Sequence, residues 1–578
     1  MSRNVRRLIG LLVVLMMVLS LLLTGCGSNG SATSASTTQA PEKKKEPVTL
    51  KILGPTFEKA FPNGIQDDPV AKELEKRTGI TIDWIVGNGI ADMNTYMSTM
   101  VAGGDLPDII CTDGNSGARK TLQDSGSVIA LDDLVKTNGQ NIEKYASGLL
   151  DLTRKIGSTK NDGKLYYIAT DYMENSKSTG TLQGIPLIRW DLYKAVGMPK
   201  IQTLDDLLVV MKQMQDKFPT TPDGKKAYAF SGFYGDWGLC MPWYYMQSTL
   251  NRVQGCNFDY DGSNMDKIHR ITDPEHFQLK AAEFFNKIYK MGLLDPDAAT
   301  MKFEQYLEKV KQGRVYCDIA SWSSVDVYNP EAAKEGHPER GFEPVPGFYA
   351  DKPINLYQSM DLGFWTWYIS KDCKNPDRAM DLLDFCYTYD GAELLMNGIE
   401  GKDFTMVNGK PVVSDDVMNQ KIDGKADPDF RIKSGIAKYG PLSGFGWGTN
   451  DPRGFPLNFM NSIDVKKKSL TEVDKDYCKT LNLEIPYQPW LESKDAERSG
   501  KYIALTPPLP NELNTEYTTI VNKGIDFYSK NYAKLIFAKD FATEENKYIA
   551  GLKALGTDKA TDWYIEQFKQ IVKSEGNK

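Results

Sequence analysis

The sequence predicts an α/β fold in which a largely parallel sheet is built from strands that alternate with helices. Three short segments, at 48–52, 80–86 and 106–111, show the apolar alternation or the continuous apolar run that strands require. Two segments with apolar residues at helical spacing, 68–79 and 92–104, lie between them. Strands and helices that alternate at this spacing favour parallel strands with helices packed on the faces of the sheet.

Capping residues mark the ends of both helices in this opening segment. Asp68-Pro69 starts the first helix, because aspartate accepts hydrogen bonds from free backbone N–H groups and proline fits the first turn. Gly79 ends it, since glycine readily adopts the left-handed conformation that closes a helix. Asp92 starts the second helix, which ends before Gly104.

Three further helices are predicted downstream. Thr203 and Asp206 resemble a capping box, with aspartate in place of glutamate, ahead of apolar residues at helical spacing. An Asp-Pro pair at 273–274 predicts a second start, and an Asn-Pro pair at 375–376 predicts a third. The α/β pattern therefore continues through the middle of the chain.

Residues 1–25 resemble a secretory signal. A basic start precedes an almost wholly apolar run, and the run ends at Leu23-Thr24-Gly25-Cys26. This ending resembles a bacterial lipobox, in which the cysteine becomes the lipid-bearing first residue of the mature chain. The alternative is an uncleaved transmembrane anchor, because the run is only marginally long enough to span a bilayer. The small residues before Cys26 favour lipidation, and segment 26–47, rich in Ser, Thr, Ala and Lys, then reads as a flexible tether.

Charge and cysteine content exclude some classes of function. Cleavage before Cys26 removes three arginines and no acidic residue, which lowers the net charge from −7 to −10. This balance argues against nucleic acid as a partner, since phosphate binding needs a basic surface. Seven cysteines remain without a Cys-x-x-Cys pair, and apolar neighbours favour buried thiols. A disulfide between Cys240 and Cys256 is the alternative.

Five sequence patches occur in an order that is characteristic of one family. Together they resemble the extracellular solute-binding lipoproteins of bacterial ABC importers, specifically the family that takes sugars and oligosaccharides. The patches are AGGDLPDII at 102–110, DGKLYYI at 162–168, RWD with TLDD within 189–206, GRV through tryptophan within 313–322, and DCKNP with a later glycine within 372–391.

This resemblance implies a periplasmic-binding-protein-like fold of type II, in which two α/β lobes are joined by a hinge and the ligand lies between them. It also implies the permease subunits of an ABC importer as partners, a carbohydrate ligand, a lipid-anchored monomer on the outer face of the cell membrane, and no enzymatic activity. The implied bounds are 48–169 with about 357–504 for lobe 1, and 170–356 with about 505–578 for lobe 2.

The sequence predicts no cofactor and no metal. Many relatives carry an acidic loop suited to calcium after the capping-box helix, but the equivalent stretch here, 219–226, lacks the run of oxygen ligands that calcium needs. A second acidic stretch, 259–264, departs from the EF-hand pattern at the glycine and bidentate positions and reads as a turn. The three histidines do not have metal-ligand spacing.

Sugars present apolar C–H faces and hydroxyl groups, so a sugar site needs aromatic platforms and planar hydrogen-bonding groups. Trp322 corresponds to a position that stacks on the sugar in the family, and the alternative is a buried tryptophan between the lobes. Asp113 follows a predicted strand, where it either bonds a sugar hydroxyl or caps a loop.

Each remaining candidate also has two possible roles, one in ligand binding and one in the fold. Trp237 and Trp447 lie in glycine-punctuated segments and serve either as platforms or as core. Asp171 lies where the hinge emerges and either bonds the ligand or fixes a turn. Trp365 shares a strand face with Trp367, so it either lines the cleft or packs in the sheet.

Two other classes of function stay open. An exported glycoside hydrolase would also need aromatic platforms and paired carboxylates, and the many acidic residues make such pairs uninformative. The chain has no Gly-x-Ser-x-Gly, His-Glu-x-x-His or P-loop motif. A peptide-binding surface lipoprotein is the other alternative.

Overall fold

The structure is a computed structural model, and residues 47–578 pack as one unit in it. It describes residues 45–55, 62–85, 93–113, 117–160, 162–170, 186–250, 252–254, 257–261, 264–346, 365–420, 429–446, 449–491 and 515–576.

The strands are β1 (Val48–Leu53), β2 (Gly64–Ile65), β3 (Ile80–Ile85), β4 (Ile109–Asp113), β5 (Ile168–Thr170), β6 (Leu187–Arg189), β7 (Tyr228–Phe230), β8 (Arg252–Gln254), β9 (Phe258–Asp261), β10 (Asn264–Arg270), β11 (Val315–Asp318), β12 (Phe342–Pro344), β13 (Trp365–Ile369), β14 (Phe404–Val407) and β15 (Lys410–Val413).

The α-helices are α1 (Pro69–Thr78), α2 (Met93–Gly103), α3 (Ala118–Asp124), α4 (Asp132–Asn138), α5 (Gln140–Ile156), α6 (Trp190–Ala195), α7 (Leu204–Lys217), α8 (Met241–Thr249), α9 (Phe277–Lys290), α10 (Phe303–Lys311), α11 (Val325–Lys334), α12 (Pro376–Cys386), α13 (Tyr389–Asn397), α14 (Asp415–Asn419), α15 (Phe430–Ser434), α16 (Ile463–Lys468), α17 (Glu472–Leu481), α18 (Gln488–Leu491), α19 (Thr515–Ile536), α20 (Phe541–Ala554) and α21 (Thr557–Gly576).

Two larger sheets organise the molecule. The first sheet has the order β2-β3-β1-β4-β13-β5, in which β1 pairs in parallel with β3 and β4. Strand β13 runs antiparallel to both β4 and β5, so the predicted parallel sheet is in fact mixed. The second sheet has the order β12-β6-β11-β7, in which β11 and β7 are parallel and β6 runs against β11 and β12.

Each sheet has its own apolar core. The first core surrounds the first sheet and buries side chains such as Leu50, Trp367 and Leu382 completely. The second core surrounds the second sheet and buries Trp190 and Tyr532 in the same way. Two separate cores of this kind are what a two-lobed α/β chain requires.

Helix α17 packs with the second core. Its Val473 and Tyr477 side chains are buried there. The backbone of Gly341 approaches α17 so closely that an added Cβ would lie 2.8 Å from Val473. The lobe boundary near 505 stays a prediction.

The local helix signals are largely confirmed. Asp68 accepts a hydrogen bond from the backbone N–H of Ala71 at the start of α1, and Gly79 closes that helix with φ of 69°. Thr203 and Asp206 form the predicted capping box of α7. The Asp-Pro pair at 273–274 forms a turn instead, and α9 starts at Phe277 behind an N-terminal cap from His276.

Two further observations concern the membrane and the thiols. Within the described part of the chain, no helix combines the length and the apolar character needed to cross a bilayer. Cys240 has a free thiol, so the alternative disulfide with Cys256 is not formed; Cys256 itself lies outside the described residues.

Candidate functional site

The chain links one edge of the first sheet to one edge of the second sheet twice. Strand β5 ends at the edge of the first sheet where β1, β3 and β4 also end, and the chain next enters β6. Strand β12 ends at the edge of the second sheet where β7 and β11 also end. The chain next enters β13, which begins at the edge of the first sheet where β5 ends. Ligands of α/β sheets bind outside such carboxyl edges.

Two predicted residues are paired neighbours in the backbone at the carboxyl edge of the first sheet. Trp365, the first residue of β13, pairs with Asp113 at the end of β4 and with Thr170 at the end of β5. The Trp365 side chain is only 6% exposed, which favours sheet packing over a broad contact with ligand. Asp171 immediately follows Thr170 and lies outside the described residues.

A segment from outside the sheet is fixed to this same edge. The carbonyl of Pro441 accepts hydrogen bonds from the Thr170 hydroxyl at 2.7 Å and from the Trp367 indole at 3.2 Å. Further along, the backbone of Gly444 lies against the ring of Tyr387, where an added Cβ would approach within 2.4 Å. This segment leads directly to Trp447, which lies outside the described residues.

An aromatic platform, consisting of Trp237, Phe303 and Trp322, lies beyond the carboxyl ends of β7 and β11 in the second sheet. The ring centroids of Trp237 and Trp322 are 5.7 Å apart with an interplanar angle of 33°. Phe303 lies 5.2 Å from Trp237 and 5.8 Å from Trp322. Trp237 is 51% exposed and Trp322 is half-buried, so the platform presents aromatic surface to solvent.

Polar contacts hold the backbone under Trp237. The Asp236 carboxylate accepts hydrogen bonds from the backbone N–H of Trp237 at 2.9 Å and of Phe303 at 3.4 Å, which joins two platform segments. The Cys240 thiol donates to the carbonyl of Trp237 at 3.2 Å. Burial raises the pKa of this thiol to about 11, so it stays protonated as a donor near neutral pH.

Phe233 supports the platform from below. Its ring centroid lies 4.8 Å from Trp237 and 4.9 Å from Phe303, and its side chain is 2% exposed. Gly238 allows this approach, because an added Cβ would lie 2.1 Å from the Phe233 ring. The exposed indole therefore rests on a rigid layer.

A buried carboxyl lies at the end of β11, close in sequence to Trp322. Asp318 is 4% exposed and accepts hydrogen bonds from the backbone N–H of Ile319 and from the Ser323 hydroxyl, both at 2.7 Å. Burial raises its pKa to about 6, although these hydrogen bonds oppose the rise.

Asp318 should make the stability of the fold depend on pH. Between about pH 4 and about pH 6 the unfolded chain releases this proton while the folded chain keeps it, so the free energy of unfolding falls as the pH rises. Across this pH range, Asp318 lowers the free energy of unfolding by up to about 3 kcal/mol. In chemical denaturation, wild type should lose about this much stability relative to Asp318→Asn on going from about pH 4 to about pH 7. Parallel pH profiles for the two proteins would contradict the assignment.

Two further residues, Trp243 and Arg189, have structural contacts. Trp243 packs 4.5 Å from the ring of Tyr528 in the second core. Arg189 is buried and donates two hydrogen bonds to Asp191, at 2.9 and 2.7 Å, while its guanidinium covers the Tyr328 ring.

The structure thus brings Trp237 and Trp322 together and places Asp113 with Trp365 at another edge. Phe303, Phe233 and Asp318 were not among the predicted site residues. The parallel pairing of β7 with β11 brings the segments that carry Phe233 and Trp322 side by side, and sequence spacing alone does not reveal this pairing.

The acidic stretches do not form a cation site in the part of the chain that the structure describes. No three His, Cys, Asp or Glu side chains there converge as metal ligands. In the 219–226 loop, the Thr221 hydroxyl donates to Asp223, and Lys225 pairs with the same carboxylate at 3.0 Å.

Comparisons with known proteins agree on one family. A family model described as bacterial extracellular solute-binding protein matches residues 57–393. The chain is 25% identical over 406 residues to lipoprotein LipO of Bacillus subtilis, covering 68% of this chain and 72% of LipO. It is 24% identical over 298 residues to the fructooligosaccharide ABC transporter substrate-binding protein FusA of Streptococcus pneumoniae, covering 50% of this chain. That match spans about half of FusA, 53% of its length.

Solved structures match the fold over nearly the whole chain. FusA of S. pneumoniae in complex with kestose is similar with a TM-score of 0.58 at 17% identity, covering 92% of this chain and 100% of that chain. The alginate-binding protein AlgQ2 without calcium ion is similar with a TM-score of 0.57 at 17% identity, covering 91% and 98%. These similarities confirm the predicted two-domain α/β fold of ABC importer substrate-binding proteins.

Proposed function

The chain belongs to the bacterial extracellular solute-binding proteins, and on this premise we propose that it captures an oligosaccharide and delivers it to the permease of an ABC importer. The observation that carries the carbohydrate assignment is the platform of Trp237, Phe303 and Trp322 at the carboxyl edge of the second sheet. The similarity to FusA, which is described as binding fructooligosaccharides, supports the same class of ligand.

The platform suits the apolar faces of pyranose or furanose rings. Flat aromatic surface of this kind gains free energy by covering C–H groups, and it tolerates several sugars because it does not read individual hydroxyl groups. The 33° angle between the two indoles prevents both from stacking on one flat ring. The geometry therefore suits two successive sugar rings of an oligosaccharide better than a single monosaccharide.

We infer that the protein captures its ligand by closure, because the chain links the carboxyl edges of the two sheets twice. A sugar that contacts both carboxyl edges binds the closed form more tightly than the open form and shifts the population toward it. At the first edge we propose Asp113 as a ligand contact, while the burial of Trp365 favours its packing role. Asp171 and Trp447 stay ligand contacts predicted from the sequence. In small-angle X-ray scattering, a bound oligosaccharide should lower the radius of gyration, and an unchanged radius at saturating ligand would count against closure.

A thermal-shift panel separates the proposed binder from its two rivals. A ligand that binds only the folded state raises the melting temperature, by an amount that grows with its concentration above Kd. We expect a shift with neutral oligosaccharides such as kestose, no shift with peptide libraries, and intact sugar after prolonged incubation. Released sugar products would favour the glycoside hydrolase, and a shift with peptides alone would favour the peptide receptor.

We further propose that the protein is held at the outer face of the cell membrane by lipid on Cys26. The pattern at residues 23–26 supports this proposal, as does the similarity to a protein described as a lipoprotein. Each buried acyl methylene contributes about 0.8 kcal/mol, so several chains hold a protein firmly on a bilayer. Cys26→Ala should move the protein from the membrane fraction to the medium or to an unprocessed precursor, with sugar binding retained. Unchanged membrane fractionation would contradict lipid anchoring.

A further inference from the structure

One buried side chain holds the turn that carries Trp322. The Asp318 carboxylate accepts the Ser323 hydroxyl at 2.7 Å, and Ser323 is the residue next to Trp322. The same carboxylate accepts the backbone N–H of Ile319 at 2.7 Å. Asp318 therefore ties the turn that carries Trp322 to the end of β11.

The residues around Asp318 are buried and closely packed. Tyr306 is 2% exposed and Ser323 is 1% exposed. The Ser323 and Ser324 hydroxyls also reach the carbonyl of Ala320, at 3.1 and 2.8 Å, which closes the turn around Trp322. Burial, and to a lesser degree the Asp318 carboxylate, raises the pKa of the neighbouring Tyr234 hydroxyl and Cys317 thiol.

A carboxyl in such a place costs stability rather than adding it. Burying an ionisable group away from water is unfavourable, and a neutral polar or apolar side chain of similar size would be tolerated better. Here the hydrogen bond from Ser323 leads directly to Trp322, the neighbouring residue of the exposed platform.

We propose that Asp318 is a positioning residue for the carbohydrate site, which fixes the orientation of Trp322 relative to Trp237 through Ser323. The predicted loss of affinity rests on the proposed function, whereas the predicted change in ring geometry does not. Asp318 does not contact the ligand. It acts by preventing the platform from rotating, so that the rings are already oriented when the sugar arrives.

The orientation of the platform has its own spectroscopic signature. Two indoles whose centroids are 5.7 Å apart at 33° couple excitonically, which gives a circular-dichroism couplet from the Trp237–Trp322 pair. Trp322→Phe and Trp237→Phe should each remove this couplet and so identify it in the full-length protein. A purely stabilising role for Asp318 would leave the couplet unchanged below the melting temperature.

The test compares Asp318→Ala with Asp318→Asn and with a matched buried carboxylate in the first core. Asp384 is 8% exposed and accepts hydrogen bonds from the backbone N–H groups of Asn141 and Ile142. We expect Asp318→Ala to reduce the couplet by at least about half and to weaken kestose binding about tenfold, the effect of losing one hydrogen bond to a charged group. Asp318→Asn keeps one acceptor oxygen, so its couplet and its affinity for kestose should lie between those of wild type and Asp318→Ala.

Asp384→Ala should lower the melting temperature while preserving the couplet and the affinity. The proposal is overturned if Asp318→Ala keeps the wild-type couplet, or if Asp384→Ala loses it to the same extent. Should Asp318→Ala not fold, Ser323→Ala tests the same connection at lower cost in stability. If wild type binds no kestose, the carbohydrate assignment is in question, but the couplet still decides whether Asp318 orients the platform.

Discussion

Replacing Trp237 and Trp322 together with alanine is expected to abolish measurable oligosaccharide binding while the protein remains folded. Buried tryptophan contacts in binding sites are commonly worth about 2 kcal/mol each, which corresponds to roughly 30-fold in Kd per ring. The double variant should therefore weaken binding by about a thousandfold. Trp237 is 51% exposed, so its removal costs little packing in the unliganded protein. Titration calorimetry of wild type, both single variants and the double variant measures these losses.

A tryptophan outside the platform supplies the control for this series. Trp563 on α21 is half-buried and packs 5.3 Å from the ring of Tyr517 and 5.0 Å from that of Tyr564. Trp563→Ala removes a comparable ring from a different part of the chain, so it should leave Kd unchanged. Wild-type affinity in the double variant, or an equal loss in the Trp563 variant, would mean that the platform does not hold the ligand.

Replacing Lys438 with methionine is expected to cost about 3–5 kcal/mol of stability. Its ammonium group donates to the Asp68 carboxylate at 2.8 Å and to the Gln66 side chain at 2.5 Å, and the Lys438 and Asp68 side chains are 2% and 4% exposed. Methionine fills a similar volume but leaves the Asp68 carboxylate buried without its cation. The Tyr439 hydroxyl, which donates to the same oxygen at 2.5 Å, compensates only in part.

Chemical denaturation measures this loss, and two controls interpret it. Lys438→Met combined with Asp68→Asn removes both charges, so it should recover much of the stability. Lys212→Met breaks an exposed pair with Asp216 one turn away on α7 and should cost less than about 1 kcal/mol. A loss below about 1 kcal/mol for Lys438→Met would show that the buried pair does not fix the 438–446 segment to the first lobe.

Local signals allowed much of the fold to be predicted. The caps of α1 and α7 depend on residues within one helical turn, so Asp68, Gly79, Thr203 and Asp206 could be recognised from the sequence. The antiparallel insertion of β13 between β4 and β5 has no such signal, because it pairs segments that are far apart in the chain. The same limit applies to α17, whose packing with the second core has no local signal in the sequence.

The candidate site was only partly predictable. Trp322 was recognised through the family resemblance, and Trp237 through its glycine-rich surroundings. Their contact depends on the parallel pairing of β7 with β11, which the sequence does not specify. Phe303 was missed because it opens an amphipathic helix like any core residue. Asp318 was missed because a single aspartate after a strand does not reveal how deeply the fold buries it.

Titration calorimetry of the purified wild-type protein with kestose and related neutral oligosaccharides tests the central claim most directly. We expect saturable binding of one oligosaccharide per chain with Kd of about 1 μM or tighter, equivalent to about −8 kcal/mol, and no sugar released during the titration. Absence of binding heat with every carbohydrate tested, together with an unchanged melting temperature, would contradict a carbohydrate-capturing role for the aromatic platform.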